Sequence, residues 1–218
     1  MSPGFLRNVA GPHNHFNARS LIRLWKAKEA VARGRPFDIA SDLEEMMNDS
    51  IFAVAFGTSR GGIDIKLEAL YHPPVKTIVR DDEVIDFPTA KRSTVYEYIG
   101  TVLGSPEIAL KSPFGPWHLA FALRFYPKLR KAVKCKDRFI QQMLDEAWDK
   151  FNQPTSTKTE IKSAAEFLIA HEVAQSRKSG RKAQYDNPMV KDQLFLFLLA
   201  DFDTGPTTVK WGTAFSWS

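Results

Sequence analysis

Residues 192–208 read Asp192-Gln193-Leu194-Phe195-Leu196-Phe197-Leu198-Leu199-Ala200-Asp201-Phe202-Asp203-Thr204-Gly205-Pro206-Thr207-Thr208. Just upstream, Asp186-Asn187-Pro188 sets a capping side chain before a proline, whose missing N–H costs nothing in a first helical turn. Leu194 to Ala200 is apolar on every side, which predicts a helix buried through the middle of the fold. The run is too short to span a bilayer, which takes about 20 residues. Pro206 removes a helical hydrogen bond and clashes one turn back, so the helix must kink or stop there. Asp203 and Thr204 then sit at a helix defect in apolar surroundings. Freed carbonyls at such a defect can hold water or a small ligand beside a proton-donating pair. The plainer reading is a turn that ends a buried helix.

Working outward, the chain reads as mostly helical. Leu21, Leu24, Trp25 and residues 28–32 form an amphipathic stretch that stops at Gly34. Ser41-Asp42-Leu43-Glu44 has capping-box spacing and opens a helix that ends at Gly57. Residues 58–92 lack helical period and contain Gly61-Gly62 and Pro73-Pro74, which predicts a loop region. A helix is expected near 93–103, then a turn over 104–116. The longest periodic segment, 127–151, carries Leu129, Val133, Ile140, Met143, Leu144, Ala147 and Phe151, with Lys136 as the one polar break. A further helix starts near Ser163 and frays at Ser179-Gly180.

At 218 residues the chain can bury a core without staples, and 44% hydrophobic with 25% charged residues is a globular balance. A net charge of +5 is spread along the chain and argues only weakly for an anionic partner. The single cysteine, Cys135, excludes an internal disulfide and any multi-cysteine metal site. The first residues lack the apolar core of a signal peptide, and no transmembrane segment is expected.

Other motifs are weaker. His171-Glu172 begins like a zinc-protease helix, but the second histidine position is Gln175. Lys128, Arg130, Lys131, Lys134, Lys136 and Arg138 form one basic cluster, and Arg177, Lys178, Arg181 and Lys182 another. Each is either a solvated face or a contact for an anionic membrane surface. Phe114, Trp117, Phe121 and Phe125 before the first cluster suit the membrane. No motif accompanies the charge that would point to nucleic acid, and no such partner is expected. Asp203-Thr204-Gly205 also spells the aspartic-protease motif, a reading that requires a second carboxylate within reach.

The segment Ala164–Trp211 resembles the central helix region of the cytochrome P-450 heme-thiolate monooxygenases, of the fungal microsomal type. That family reads Asp-Glu-Leu-Phe-x-Phe-Leu-x-Ala-Gly-x-(Asp/Glu)-Thr-(Thr/Ser)-x-Thr-Thr, then an apolar residue and Trp, supplied here by Val209 and Trp211. The stretch Gly180–Asp186 suits the family's linker before this helix. Pro36–Leu43 with Ala55-Phe56-Gly57 resembles an earlier helix with its terminal Phe-Gly.

The resemblance implies a mainly α, partial cytochrome P-450 fold. It implies one partial domain over residues 1–218, with 187–211 as the central oxygen-binding helix. By the same resemblance this helix passes over heme, with Ala200, Asp201 and Thr204 as cofactor-binding residues. Leu196 and Ala200 would touch a small organic substrate. Asp203 and Thr204 would be catalytic, passing protons into a dry oxygen-activating site. An NADPH-dependent reductase and the endoplasmic reticulum membrane are implied as well.

The sequence departs from the family at Asp201, where the family has glycine, at Gly205, where it has Thr or Ser, and at Pro206. It contains no heme-loop Phe-x-x-Gly-x-Arg-x-Cys-x-Gly, no Glu-x-x-Arg and no Trp-x-x-x-Arg, and Cys135 has none of the heme-loop neighbours. The expectation is an internal fragment ending in the central helix and inactive alone. A non-catalytic helical interaction module is the alternative, with the aspartic protease behind it.

Overall fold

The structure is a computed structural model that describes residues 3–59, 61–71, 85, 87, 94–152 and 161–202. It is helical, and the described residues form no β-strand, only an isolated parallel bridge between Phe37 and Ile85. Packing divides the chain into two compact units: residues 1–91, 160–164 and 200–218, and residues 92–159 and 165–199.

The first unit holds α1 (Pro3–Phe5), a π-helical turn (Leu6–Ala10), α2 (Gly11–Ala32), α3 (Ala40–Phe56) and α4 (Gly62–Tyr71). Leu21 and Leu24 of α2, Leu43 and Met46 of α3, and Ile63 and Leu67 of α4 form one buried cluster. Their spacings of three and four put each pair on one helix face, and burying each such side chain is worth about 1.5–3 kcal/mol. Beside the cluster lies a buried ionic network. Asp42, with no exposed surface, accepts from Lys28 Nζ at 2.6 Å and from Lys66 Nζ at 2.9 Å. Lys66 also donates to the Ser41 carbonyl and hydroxyl. The rings of Phe37 and Phe87, packed edge to face at 5.7 Å, lie 5.6 and 5.0 Å from the Lys28 ammonium. The faces of aromatic rings carry negative charge density, so they help hold a desolvated cation.

Three sequence expectations are corrected in this unit. Residues 62–71, expected within a loop region spanning 58–92, are helical. The signal was hidden because α4 brings no cap of its own. Asp49 of α3 supplies it, accepting from the Gly62 and Ile63 N–H groups at 3.1 and 3.0 Å. Second, Ser41 does not cap α3: the helix begins at Ala40 after Ile39, and the Ser41 hydroxyl serves Lys66 instead. Third, α2 turns out of its helix at Arg33, in the left-handed region at φ 51°, one residue before the expected stop at Gly34. The end of α3 at Gly57, with φ 76°, matches expectation.

The second unit holds α5 (Thr94–Leu103), α6 (Pro106–Leu110), α7 (Pro116–Phe125), α8 (Pro127–Phe151), most of α9 (Ala164–Ser179) and most of α10 (Pro188–Phe202). The long helix expected over 127–151 is α8, with Leu129, Ala132, Ile140, Leu144 and Ala147 buried. Its polar break resolves as a packed cation. Lys136, 14% exposed, pairs with Asp137 at 2.8 Å and sets its ammonium 4.5 Å from the Phe195 ring centroid.

Removing the Asp42 carboxylate leaves two lysines without their shared counter-charge in the first unit. Asp42→Ala is expected to lower unfolding stability in urea by about 3–5 kcal/mol. A loss below about 1 kcal/mol would show that the carboxylate does not organise the three helices.

Candidate functional site

The helix that carries the sequence-predicted site is α10, and its start is built as expected. Asn187 Oδ1 accepts from the Met189 N–H at 3.0 Å, and Pro188 occupies the first turn. Val190, Leu194 and Leu198, four apart, form a buried stripe. The rest of α10 departs from the expectation of burial on every side. Met189 is 65% exposed and Leu196 is 59% exposed. The apolar run has a packed face and an uncovered one, because the described residues supply a covering surface on one side alone.

Leu196, expected to touch substrate, therefore stands on the uncovered side. Ala200 and Asp201 lie in the last turn of α10, one helical turn beyond Leu196. Asp203 and Thr204 lie outside the described residues, as does Pro206. The structure thus brings Leu196, Ala200 and Asp201 onto one helix.

Residues that sequence reasoning did not assign set how α10 is entered. The stretch between α9 and α10 is pinned at three points. Glu172 of α9 receives a two-pronged hydrogen bond from the Arg181 guanidinium, at 2.6 and 3.0 Å. The same carboxylate accepts from the Gln184 backbone N–H at 3.1 Å. Arg181, with Gln184 behind it, holds the Glu172 carboxyl below its ordinary pKa. Next, Tyr185 stacks face to face on Trp148 of α8, centroids 4.5 Å apart and planes within 9°. Its hydroxyl donates to Asp145 Oδ1 at 3.2 Å, and Gln141 Nε2 donates to the same oxygen at 2.8 Å. Desolvation, then the charge of Asp145, raises the Tyr185 pKa. Asn187 is the third point. Of these, Glu172 carried a sequence signal, as half of a failed zinc motif, and its role proves to be structural.

Elsewhere in the second unit, an open depression of about 510 Å³ is lined by Glu107, Ile108, Lys111, His118 and Tyr126, among others. His118 Nε2 lies 3.3 Å from the Tyr126 hydroxyl. Among the described residues no cluster of histidine, cysteine and carboxylates could hold a metal ion. Cys135 is half-buried in the middle of α8, with Lys134 exposed and Lys136 turned onto Phe195. A thiol in mid-helix, flanked by lysines, is not set to ligate a heme iron. The residues described do not by themselves make a heme site.

Comparison with known proteins points to one family. A cytochrome P-450 monooxygenase of Pestalotiopsis microspora is 31% identical over 97% of this chain and 37% of its own length. One from Fusarium sporotrichioides is 27% identical over 99% of the chain and 38% of its length. A third, from Penicillium crustosum, is 24% identical over 97% and 37%. The chain thus spans just over a third of the length of the curated relatives it matches, and its helices are a partial fold of that kind. No protein-family model and no solved structure matches it.

Because folding holds the Glu172 pKa below its unfolded value, the pinning adds stability above the ordinary carboxylate range. That stability is lost as pH falls through the lowered pKa. Glu172→Gln should therefore speed hydrogen exchange at the Gln184 amide several-fold at neutral pH, and acidification of the unaltered chain through the lowered pKa should reduce that amide's protection relative to its intrinsic rate. Unchanged Gln184 exchange in the variant would show that this contact does not hold the linker.

Proposed function

We propose that the chain is a segment of a cytochrome P-450 monooxygenase in which α10 forms the wall of the pocket that faces the heme. The observation that carries this reading is the coincidence of two facts. The similarity to these monooxygenases runs along 97–99% of the chain, and α10 packs along Val190, Leu194 and Leu198 while leaving apolar Leu196 and Met189 uncovered. A pocket wall has to be apolar and open on one side.

In this reading Leu196 and Ala200 border a small organic substrate, and Asp201 lies beside the cofactor. Asp203 and Thr204 hold and pass protons toward the oxygen chemistry. Heme, once bound, supplies the oxygen chemistry, and a reductase partner supplies electrons. The thiolate that holds the iron is not Cys135. The test is spectroscopic. The 218-residue chain, mixed with heme, reductant and carbon monoxide, is expected to show no thiolate-ligated spectrum. Seeing one would overturn the assignment of a partial, non-ligating segment.

A second reading concerns a membrane surface. Around α6 and α7, Leu110, Phe114, Trp117, Phe121 and Phe125 are all exposed, Trp117 to 83%. Arg124, Lys128, Arg130, Lys131 and Lys134 follow, also exposed. Aromatic anchors beside basic residues suit an interface with anionic headgroups, each nearby cation being worth about 1 kcal/mol. Among the described residues no helix is long and apolar enough to cross a membrane, so the contact would lie on the surface. The chain should co-sediment with phosphatidylserine-containing vesicles more than with pure phosphatidylcholine. Trp117→Ser combined with Phe121→Ser should cut that binding several-fold. Equal binding by the double variant would remove this surface from consideration.

A further inference from the structure

The stacked pair Trp148 and Tyr185 has a feature that packing alone does not need. The phenol is aimed at a carboxylate. Face-to-face rings 4.5 Å apart overlap their π systems, and the Tyr185 hydroxyl donates to Asp145 Oδ1 at 3.2 Å. Phe151 also lies nearly parallel to the indole, with centroids 6.3 Å apart. Gln141 fixes the carboxylate by donating to the same oxygen. Trp148 and Tyr185 are both half-buried, so part of the stack is open to oxidants in solution.

From this juxtaposition we infer that Trp148, Tyr185 and Asp145 form a one-electron relay that delivers oxidising equivalents from the indole to a tyrosine. A one-electron oxidant, such as a ruthenium(III) polypyridyl complex, takes an electron from Trp148 and leaves an indole radical cation. Tyr185 then gives an electron to Trp148 across the stack and its phenolic proton to Asp145. Neutral indole is restored, and a neutral tyrosyl radical and a protonated Asp145 remain. The carboxylate directs the step, because a phenol that loses an electron becomes a strong acid and Asp145 offers a base already in place at 3.2 Å. Packing against an aromatic neighbour explains a stacked tyrosine. It does not explain a phenol aimed at a fixed proton acceptor on the helix that also carries the indole. The relay does not depend on the heme reading, since the oxidant is added from outside.

The experiment is flash oxidation of the 218-residue chain by photoexcited ruthenium(II) tris-bipyridine with persulfate, followed by transient absorption and freeze-quench electron paramagnetic resonance. A tyrosyl signal should rise as the indole radical decays, and more slowly in D2O than in H2O. In Tyr185→Phe, which keeps the stack, the tyrosyl yield should fall several-fold and the indole radical should persist several-fold longer. Asp145→Asn should slow tyrosyl formation, and Asp145→Glu should restore much of it. Wild-type tyrosyl yield in Tyr185→Phe would overturn the relay. So would equal rates in H2O and D2O, a measurement that needs no variant.

Discussion

A single buried carboxylate organises the first unit. Asp42 has no contact with solvent and is shared between two lysines from two other helices, so α2, α3 and α4 meet at one point of charge. Such a network is weak evidence for net stability, because taking three charged groups out of water is costly. What it fixes is register. A shift of α2 or α4 by one residue would carry Lys28 or Lys66 off the carboxylate and leave an ion buried alone. The apolar cluster beside it tolerates small slips; the charges do not.

Much of the helical plan was legible in the sequence. Gly57, Ser179-Gly180 and Asn187-Pro188 mark ends that the structure reproduces, because each acts through its own backbone or its nearest neighbours. What escaped reading was nonlocal. The cap of α4 comes from Asp49, thirteen residues upstream of Gly62 and on another helix. Ser41 had the spacing of a capping box, but a distant lysine took its hydroxyl. Lys136 looked like a break in an apolar stripe until Phe195 gave its cation a ring to sit on.

The candidate site was legible to a different degree. The apolar run of α10 and its cap could be read directly, and the family resemblance named Leu196, Ala200 and Asp201 on it. The means by which the helix is aimed could not be read. Glu172, Arg181, Tyr185, Trp148 and Asp145 are scattered over some forty residues and carry no shared motif. All-round hydrophobicity also misled, since it marks a helix that is covered somewhere in a whole fold. Within the described residues α10 is covered along the Val190, Leu194 and Leu198 stripe, and its other face waits for a surface.

The borrowed cap of α4 also makes one helix conditional on another. The first amides of a helix cost free energy until something accepts from them, and a short helix in water rarely outlasts that cost. Here the acceptor is Asp49, which is in place only once α3 has formed and docked. The ten residues of α4 therefore draw the stability of their first turn from α3 rather than from a cap in their own sequence.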